Sequence, residues 1–363
     1  TVKKVIPLKG TLGKPDSVIL TEKYNFVPYG LKEGICGTQI NGLFFDSKQR
    51  LWMGSYGAGV SVYDGKEMKT INKANGLPVD IIWDFEEDEK GNIWMATDLG
   101  ISVYNGKYFH HYKEGKELKS RYVWTLFKDD KNRIWAGTSR GGVTVFENGK
   151  SKSYTLEEDS IFPATQVYEI IQDKNKNMFF GTHSDGIVKY DGKNFERINI
   201  HKKIRDNTVR ALLCDDNGQV WVGSDAGLYI LKNGKPEKFD STYAPLQGRI
   251  DEIFESASGV IWISVYGFGV VKYDPSSIKR KTGNDYAEIT SKNGLPGKVV
   301  SRIAQDKWGT MWFSVIGYGL VQLEDYSFTH YTKEQGLTSS NVSCVFQDSK
   351  KRIWMGMLGG GVG

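Results

Sequence analysis

Short apolar runs separated by polar turns recur along this chain at a nearly constant interval. Each copy has an apolar strand, then Asp, a few polar residues, an aliphatic residue followed by Trp, a small-residue step, a glycine loop and an apolar run to Tyr. Eight copies can be read, spanning Asp46 to Trp52, Asp88 to Trp94, Asp129 to Trp135, Asp173 to Phe179, Asp215 to Trp221, Ser256 to Trp262, Asp306 to Trp312 and Asp348 to Trp354. Short alternating segments bounded by turn residues predict strands, not helices.

The interval itself predicts the fold. Successive anchor aromatics lie 41 to 50 residues apart, which is the length of a four-stranded propeller blade. Within one unit, strands are predicted at 82–85, 93–96, 101–104 and 108–112. Between the last two lies Asn105-Gly106, a pair that tolerates the positive φ of a tight hairpin turn. The chain is therefore predicted to be all-β, a single β-propeller of four-stranded antiparallel blades.

The two ends of the chain bear on the number of blades. The last copy stops at Gly363, and residues 17–30 contain apolar runs that match the strands this copy lacks. We expect eight blades, the last closed by strands from both termini, and a seven-bladed ring with an extra half-repeat is the alternative. Residues 1–363 then form one propeller domain, with a lead-in at 1–16, closing strands at 17–38 and repeat cores near 40–63, 82–104, 123–146, 167–190, 209–231, 250–273, 300–323 and 342–363.

Composition narrows the class of function. With 42 Gly, 9 Pro and 13% aromatic residues the chain is typical of a β protein, and no apolar run is long enough to suggest membrane contact. A net charge of +5 without basic blocks argues against nucleic acid as a partner. Three cysteines without a CxxC pair and five histidines without a ligand motif predict no metal and no cofactor. Because the chain begins at Thr1, we expect a mature or excised fragment.

The repeat resembles the two-component regulator propeller repeat. The resemblance rests on Gly-Leu-Pro before the inner strand, at 76–78 and 294–296, and on the elements that follow it: Val/Ile-x-x-Ile/Leu, Asp, Gly-x-Ile-Trp, Gly-Thr and Gly-Gly/Leu. It implies the extracytoplasmic sensor region of a bacterial hybrid histidine kinase, often one that controls polysaccharide use. The resemblance further implies a periplasmic or extracellular location, no enzymatic activity in this segment and a homodimer formed through a longer parent chain. Such sensors usually also carry a second propeller, a β-sandwich, a membrane helix and a kinase, none of which the repeat accounts for.

Strand polarity gathers the candidate ligand-binding residues on one face. In a four-stranded meander, the loop entering the first strand and the loop joining strands two and three lie on the same side. The second loop varies most between blades and supplies Tyr56, Asp98, Arg140, His183, Asp225, Tyr266, Phe268 and Tyr318. Their aromatic faces and hydrogen-bonding groups predict a small-molecule ligand, and an oligosaccharide is preferred on the family resemblance. The alternative is a set of solvated loop tips.

A second set of candidates lies on the predicted inner strands. Counting four residues back from each Asp gives the channel candidates Asp84, Glu169, Glu252 and Arg302, and counting five back gives Trp83, Trp124, Tyr168, Arg210 and Asp251. One of the two columns should line the central channel, and a bulge in the inner strand would decide which. The carboxylates could hold a cation or bind sugar hydroxyls; a water-filled polar funnel is the alternative.

The repeated Asp and Trp are expected to be structural. The Asp suits backbone N–H groups of the turn that follows it, and the Trp suits the wedge between neighbouring sheets. Two other functions stay open beside ligand sensing. Streptogramin lyases have a similar blade, but their chemistry uses a histidine pair, and here His183 is the one histidine expected at the axial face. A protein-interaction platform built on blade edges is the third possibility.

Overall fold

The computed structural model describes residues 25–156, 162–201, 207–275 and 286–324, with the strand residues 342–347, 353–357 and 361–362. The chain divides into two compact units, one spanning Tyr24–Glu324 and the other joining Thr1–Lys23 to Asp325–Gly363. In the first unit the described strands form seven four-stranded antiparallel sheets, and in the second they form one three-stranded sheet. The two units are described separately below.

Each sheet of the first unit is one blade, numbered along the chain. Blade 1 contains β2 (Ile40–Phe45), β3 (Leu51–Ser55), β4 (Val60–Tyr63) and β5 (Met68–Ile71); blade 2 contains β6 (Ile82–Glu87), β7 (Ile93–Thr97), β8 (Gly100–Tyr104) and β9 (Phe109–Tyr112). Blade 3 contains β10 (Val123–Lys128), β11 (Ile134–Thr138), β12 (Val143–Glu147) and β13 (Lys150–Tyr154); blade 4 contains β14 (Val167–Gln172), β15 (Met178–Thr182), β16 (Ile187–Tyr190) and β17 (Phe195–Ile198). Blade 5 contains β18 (Val209–Cys214), β19 (Val220–Ser224), β20 (Gly227–Lys232) and β21 (Lys235–Lys238); blade 6 contains β22 (Ile250–Glu255), β23 (Ile261–Val265), β24 (Gly269–Tyr273) and β25 (Tyr286–Ile289). Blade 7 contains β26 (Val300–Gln305), β27 (Met311–Val315), β28 (Gly319–Glu324) and, as its outer strand, β1 (Asn25–Tyr29).

Short helical turns and the second unit complete the described elements. Three 3-10 turns occupy Leu31–Glu33, Lys73–Asn75 and Ala244–Gln247, all in loops that connect blades. The second unit pairs β29 (Val342–Gln347), β30 (Ile353–Met357) and β31 (Gly361–Val362) in antiparallel order. Among the described residues, no helix has the length and apolar character needed to span a bilayer.

The ring has seven blades, so the expectation of eight is wrong. Strand β1 pairs along the full length of β28, from Asn25 opposite Glu324 to Tyr29 opposite Leu320, and so fills the outer position of blade 7. Blade 7 lies directly beside blade 1, because the Ser314 hydroxyl donates to the carbonyl oxygen of Ile40 at 2.7 Å. A ring closed by this contact has no gap for another blade, and the strands of the eighth copy belong to the second unit.

The N-terminal segment does close the ring, as the chain ends suggested, but on a different blade. Its aromatic side chains fit blade 7: Phe26 meets Phe313 edge to face, and Tyr29 packs 5.5 Å from the ring of Trp312. An outer strand also tolerates Pro28, because its missing N–H would face away from the ladder. Residues 17–24 of the predicted closing segment lie outside the described residues.

The core lies between neighbouring blades. The second strand of each of the seven blades is buried at all five positions, because both of its faces are covered by adjacent sheets. Gly137 shows how closely the sheets approach: a Cβ built there would stand 2.8 Å from a methyl carbon of Val167 in the next blade. One apolar side chain from each connecting loop seals the wedge, namely Ile35, Leu77, Leu118, Phe162, Ile200, Leu246 and Leu295.

The repeated Asp and Trp have the structural role expected of them. Asp129 accepts hydrogen bonds from the backbone of Lys131 and Arg133, from the Arg133 guanidinium, and from Trp135 Nε1 at 2.8 Å. The carboxylate therefore ties the turn to the buried indole. In blade 6 a serine, Ser256, stands in this position, and Trp262 Nε1 is buried with no partner among the described residues.

Candidate ligand-binding site at the channel mouth

Every inner strand of the ring carries a bulge at the same place. In blade 2, Ile82 pairs with Thr97 and Asp84 with Ala96, which leaves Trp83 as the extra residue. The equivalent extra residues are Asn41, Trp124, Tyr168, Arg210, Asp251 and Ser301. A bulge turns a side chain out of the regular alternation. The bulge residues, which stand five positions before the repeated Asp, therefore face one mouth of the channel. The residues four positions before that Asp face the inside of the channel.

The loops at this mouth are held together by backbone hydrogen bonds. Tyr56 N donates to Gln39 O at 2.9 Å, and Tyr266 N donates to Arg249 O at 2.9 Å. In each pair the donor follows the second strand of its blade, and the acceptor directly precedes the inner strand of the same blade. These bonds confirm that the two kinds of loop share one face.

A cavity of about 360 Å³ opens at the mouth. Its lining combines the bulge residues with side chains from the surrounding loops: Asn41, Trp83, Trp124, Tyr168, Arg210, Arg249, Asp251, Tyr266, Val299, Ser301, Arg302 and Ile316. This volume lies within the range of small-molecule sites, near its lower end. Because seven blades each contribute to one axis, residues far apart in sequence surround a single space.

One half of the mouth is aromatic. Trp83 meets the Tyr56 ring edge to face at 5.8 Å, and its Nε1 donates to Asp98 at 2.6 Å. Trp124 and Tyr168, from neighbouring blades, stack with ring centres 4.9 Å apart and planes within 12°. These contacts fix the rings in place before any ligand arrives.

The Tyr168 hydroxyl lies on the boundary of this aromatic half. It sits 3.2 Å from His183 Nδ1, and burial raises the pKa of Tyr168. His183 contacts Tyr168 at the mouth, His110 and His111 lie on the outer strand β9, and His201 is not one of the residues that line the cavity. The histidine pair used by streptogramin lyases is therefore not found at this mouth among the described residues.

The other half of the mouth is a chain of ion pairs. Asp225 binds the Arg210 guanidinium through both oxygens and lies 3.9 Å from Arg249, which in turn binds Asp251 at 2.6 Å. Arg249 also covers the Tyr266 ring at 4.4 Å. Burial opposes the charge of Arg210, but the Asp225 carboxylate outweighs it and holds the pKa of Arg210 above its ordinary value. This half of the mouth therefore holds several hydrogen-bond donors and acceptors in fixed positions.

Below the mouth, three carboxylates surround one guanidinium. Arg302 binds Glu252 at 2.9 Å and is attracted by Asp84 and Glu169 as well. Burial raises the pKa of each carboxyl group, to about 7 for Glu252, and Arg302 only partly offsets it. No three His, Cys, Asp or Glu side chains in the described part of the chain are placed to hold a metal ion. The three carboxyl groups and the guanidinium form a buried charged cluster beneath the cavity.

The structure separates the predicted site residues into two groups. Tyr266 lines the cavity, and Tyr56, Asp98, His183 and Asp225 contact side chains that line it. Three others lie apart from the cavity lining: Phe268 packs on the core between blades 5 and 6, Tyr318 packs against Gly297, and Arg140 is exposed. Ligand binding by any of them stays a prediction.

Sequence reasoning missed some residues of the mouth. Asn41 and Ser301 continue the column that contains Trp83, so counting back from Asp46 and Asp306 finds them. Arg249 gave no such signal, because the residue before the inner strand follows no common pattern from blade to blade.

Comparison with known proteins follows the same repeat. The family model described as two component regulator propeller matches residues 76–98, 117–140, 203–226 and 336–359. Four segments of the chain therefore match this repeat model. The first three matched segments contain the first and second strands of blades 2, 3 and 5.

Similar proteins include members of two-component systems and an enzyme. Histidine kinase P4 of Formosa agariphila is 24% identical over a region covering 61% of this chain and 14% of that protein. The extracellular domain of the putative hybrid two component system BT3049 from B. thetaiotaomicron is 17% identical with a TM-score of 0.71, covering 93% of this chain and 53% of that chain. A streptogramin B lyase is 13% identical with a TM-score of 0.65, and the match covers 83% of this chain and 98% of the lyase chain. At these identities the comparison with the solved structures shows that this chain has the same fold. This chain spans less than two thirds of either two-component relative.

Proposed function

We propose that this chain is a ligand-sensing propeller of a two-component system and that it binds a small carbohydrate, or a similar polar ligand, at the channel mouth. The repeats supply the association with two-component regulators. The observation that carries the binding site is one cavity bounded by fixed aromatic rings on one side and a fixed ion-pair chain on the other. As in the family, the sensing region would lie outside the cytoplasm.

The two halves of the mouth suit a sugar ring. The C–H face of a pyranose can pack on Trp124 or Trp83, while its hydroxyl groups both donate and accept hydrogen bonds. Arg249 and Asp251 offer donors and acceptors that their own pairing holds in place. Asn41 Nδ2 is buried at the cavity with no partner among the described residues, which leaves a donor for a ligand oxygen.

Contacts between blades would transmit occupancy to the rest of the ring. The Trp124–Tyr168 stack joins blades 3 and 4, and the Arg302–Glu252 pair joins blades 7 and 6. A ligand seated on these groups is bound by several blades at once. It would therefore restrict their relative motion, and a domain attached to the ring could respond to that restriction.

Calorimetric titration of neutral and acidic oligosaccharides tests the proposal. Trp124→Ala should weaken binding roughly 5- to 30-fold, corresponding to about 1–2 kcal/mol of lost stacking. Trp308→Ala is the matched control, since that indole is 76% exposed and lies outside the cavity lining. Thermal unfolding of both variants checks that the ring is intact. An oligosaccharide bound equally well by the parent, Trp124→Ala and Asn41→Ala would contradict a site at the mouth.

A further inference from the structure

On the face opposite the mouth, neighbouring blades are joined by a recurring hydrogen bond between turns. The side chain of the last residue of an inner strand accepts a hydrogen bond from a backbone N–H of the preceding blade. That N–H belongs to the residue directly after the repeated Asp, or after Ser256 in blade 6. Glu87 accepts from Ser47 N at 2.6 Å, Gln172 from Asp130 N at 3.0 Å, Glu255 from Asp216 N at 2.8 Å, and Gln305 from Ala257 N at 2.7 Å. We call this the seam bond. It draws two adjacent turns together.

Two further seams use substitutes for the seam bond. Between blades 7 and 1, Gln49 accepts from Lys307 N at 3.2 Å. Between blades 4 and 5, the Lys174 ammonium donates to the carbonyl oxygen of Asp216. In both cases a side chain still ties one turn to the next.

The seam between blades 2 and 3 lacks the seam bond, and here Lys128 joins the two inner strands, its backbone N–H donating to Glu86 Oε2 at 3.0 Å. Its acceptor position holds Lys128, an ammonium that can donate but cannot accept from Glu89 N. Lys128 instead donates from its ammonium to Glu87 O at 2.6 Å. Among the described residues, no hydrogen bond joins the turn at Glu89 to the turn at Asp130.

A cavity of about 550 Å³ lies at this seam. One wall is the β6–β7 turn and the outer strand of blade 2, and the other is formed by two turns of blade 3, around Lys131 and Asn148. The cavity lies between two turns that no seam bond joins. By strand polarity this cavity faces away from the channel mouth.

The lining groups combine an aromatic surface with unpaired polar atoms. Tyr108 is 63% exposed, with the Lys107 ammonium 5.0 Å from the centre of its ring, and Trp94 and Tyr112, which also line the cavity, stack with ring centres 5.4 Å apart. The Lys131 ammonium and the Glu147 carboxylate border the cavity and form no ion pair with another described residue. A donor and an acceptor beside an exposed ring match the hydroxyl groups and C–H face of a sugar.

Other polar groups of the lining are already engaged. Asp88 accepts from Trp94 Nε1 at 3.0 Å and from Asn92, and although burial opposes ionisation, these hydrogen bonds hold its pKa below the ordinary value. Asp88 is therefore a fixed part of the wall and not a contact for the ligand. The groups left to bind a ligand are those at the rim of the cavity.

We propose that the cleft between blades 2 and 3, opposite the mouth, is a second binding site that takes a neutral disaccharide. The ring of Tyr108 stacks on one sugar residue, and Lys131, Glu147 and the backbone N–H of Glu89 bind its hydroxyl groups. This site is separate from the mouth and does not depend on the function proposed there.

Fluorine NMR of the protein labelled with 5-fluorotryptophan tests the proposal. The probes are maltose, cellobiose, laminaribiose and xylobiose at millimolar concentrations, and the Trp94 signal is assigned from Trp94→Phe. At least one of these sugars should shift the Trp94 signal. Lys128→Gln places at the seam the acceptor found at Gln172 and Gln305, so it should close the cleft and weaken this binding at least about tenfold.

Three further variants distinguish binding in the cleft from binding elsewhere on the ring. Lys128→Met removes the ammonium without supplying an acceptor, so binding should persist, whereas Tyr108→Ala should abolish it. Trp124→Ala alters the mouth and should leave the Trp94 shift unchanged. The proposal is overturned if none of the four sugars moves the Trp94 signal, or if the shift is the same in Lys128→Gln and Tyr108→Ala as in the parent.

Discussion

Replacing Ser256 by Asp should stabilise the ring, because it supplies the partner that Trp262 Nε1 lacks. A buried donor without an acceptor costs about 1–3 kcal/mol, and a hydrogen bond to a charged acceptor contributes about 1.5–3 kcal/mol. Burying the new carboxylate offsets part of this gain, since blade 6 has Val260 where blade 3 has the Arg133 guanidinium. We expect a net gain of about 1 kcal/mol in the free energy of unfolding.

The reverse exchange in blade 3 should cost more than the first one gains. Asp129→Ser removes the acceptor for Trp135 Nε1, for the backbone N–H groups of Lys131 and Arg133, and for the Arg133 side chain. A serine hydroxyl replaces the carboxylate poorly, as Ser256 shows by leaving Trp262 unpaired. The expected loss is about 3–4 kcal/mol.

Urea unfolding followed by circular dichroism and by tryptophan fluorescence measures both changes. Lys131→Ser is the control, because it changes an exposed side chain of the same turn and should stay within about 0.5 kcal/mol. The reasoning is refuted if Ser256→Asp destabilises the protein, or if Asp129→Ser has no larger effect than the control.

Other predictions follow from the core, the ring closure and the channel. Trp135→Ala should cost roughly 3–5 kcal/mol as a large-to-small core change, and Arg140→Ala within about 0.5 kcal/mol, as measured by urea unfolding. Deleting residues 1–30 removes β1 and leaves β28 as an open edge, so the truncated chain should melt lower and aggregate in light scattering; an unchanged melting temperature would contradict closure by β1. Since the pKa of Glu252 is raised from 4.5 to about 7, the folded state binds more protons than the unfolded one, and stability should fall as pH rises through that interval. Glu252→Gln should flatten this fall, and equal pH profiles for the two proteins would argue against a raised pKa.

The blades could be predicted because they are specified locally. Alternating apolar positions, a turn at the repeated Asp and a glycine loop after each anchor aromatic residue define the four strands of a blade within about forty residues of sequence. The number of blades could not be predicted from the sequence, because it depends on which distant strand the segment Asn25–Tyr29 pairs with. That choice is made by long-range packing on Phe313 and Trp312, which no local pattern reveals.

The mouth was predicted in part for a related reason. Counting from the Asp column found Trp83, Trp124 and Tyr168, but only the bulge shows that this column reaches the mouth, since a shift of one residue reverses the direction of every side chain. The presence of Lys128 at the end of an inner strand can likewise be read from the sequence. Its meaning appears only once the structure shows that Glu87 and Gln172, at the same position, join two blades.

The most direct test of the account is a crystal structure of the protein with the oligosaccharide that it binds most tightly. We predict that a sugar residue lies in the mouth cavity, stacked on Trp124 or Trp83 and within hydrogen-bond distance of Asn41 Nδ2. Density for the oligosaccharide confined to the outer surface of the ring, with the mouth holding only water, would contradict the account.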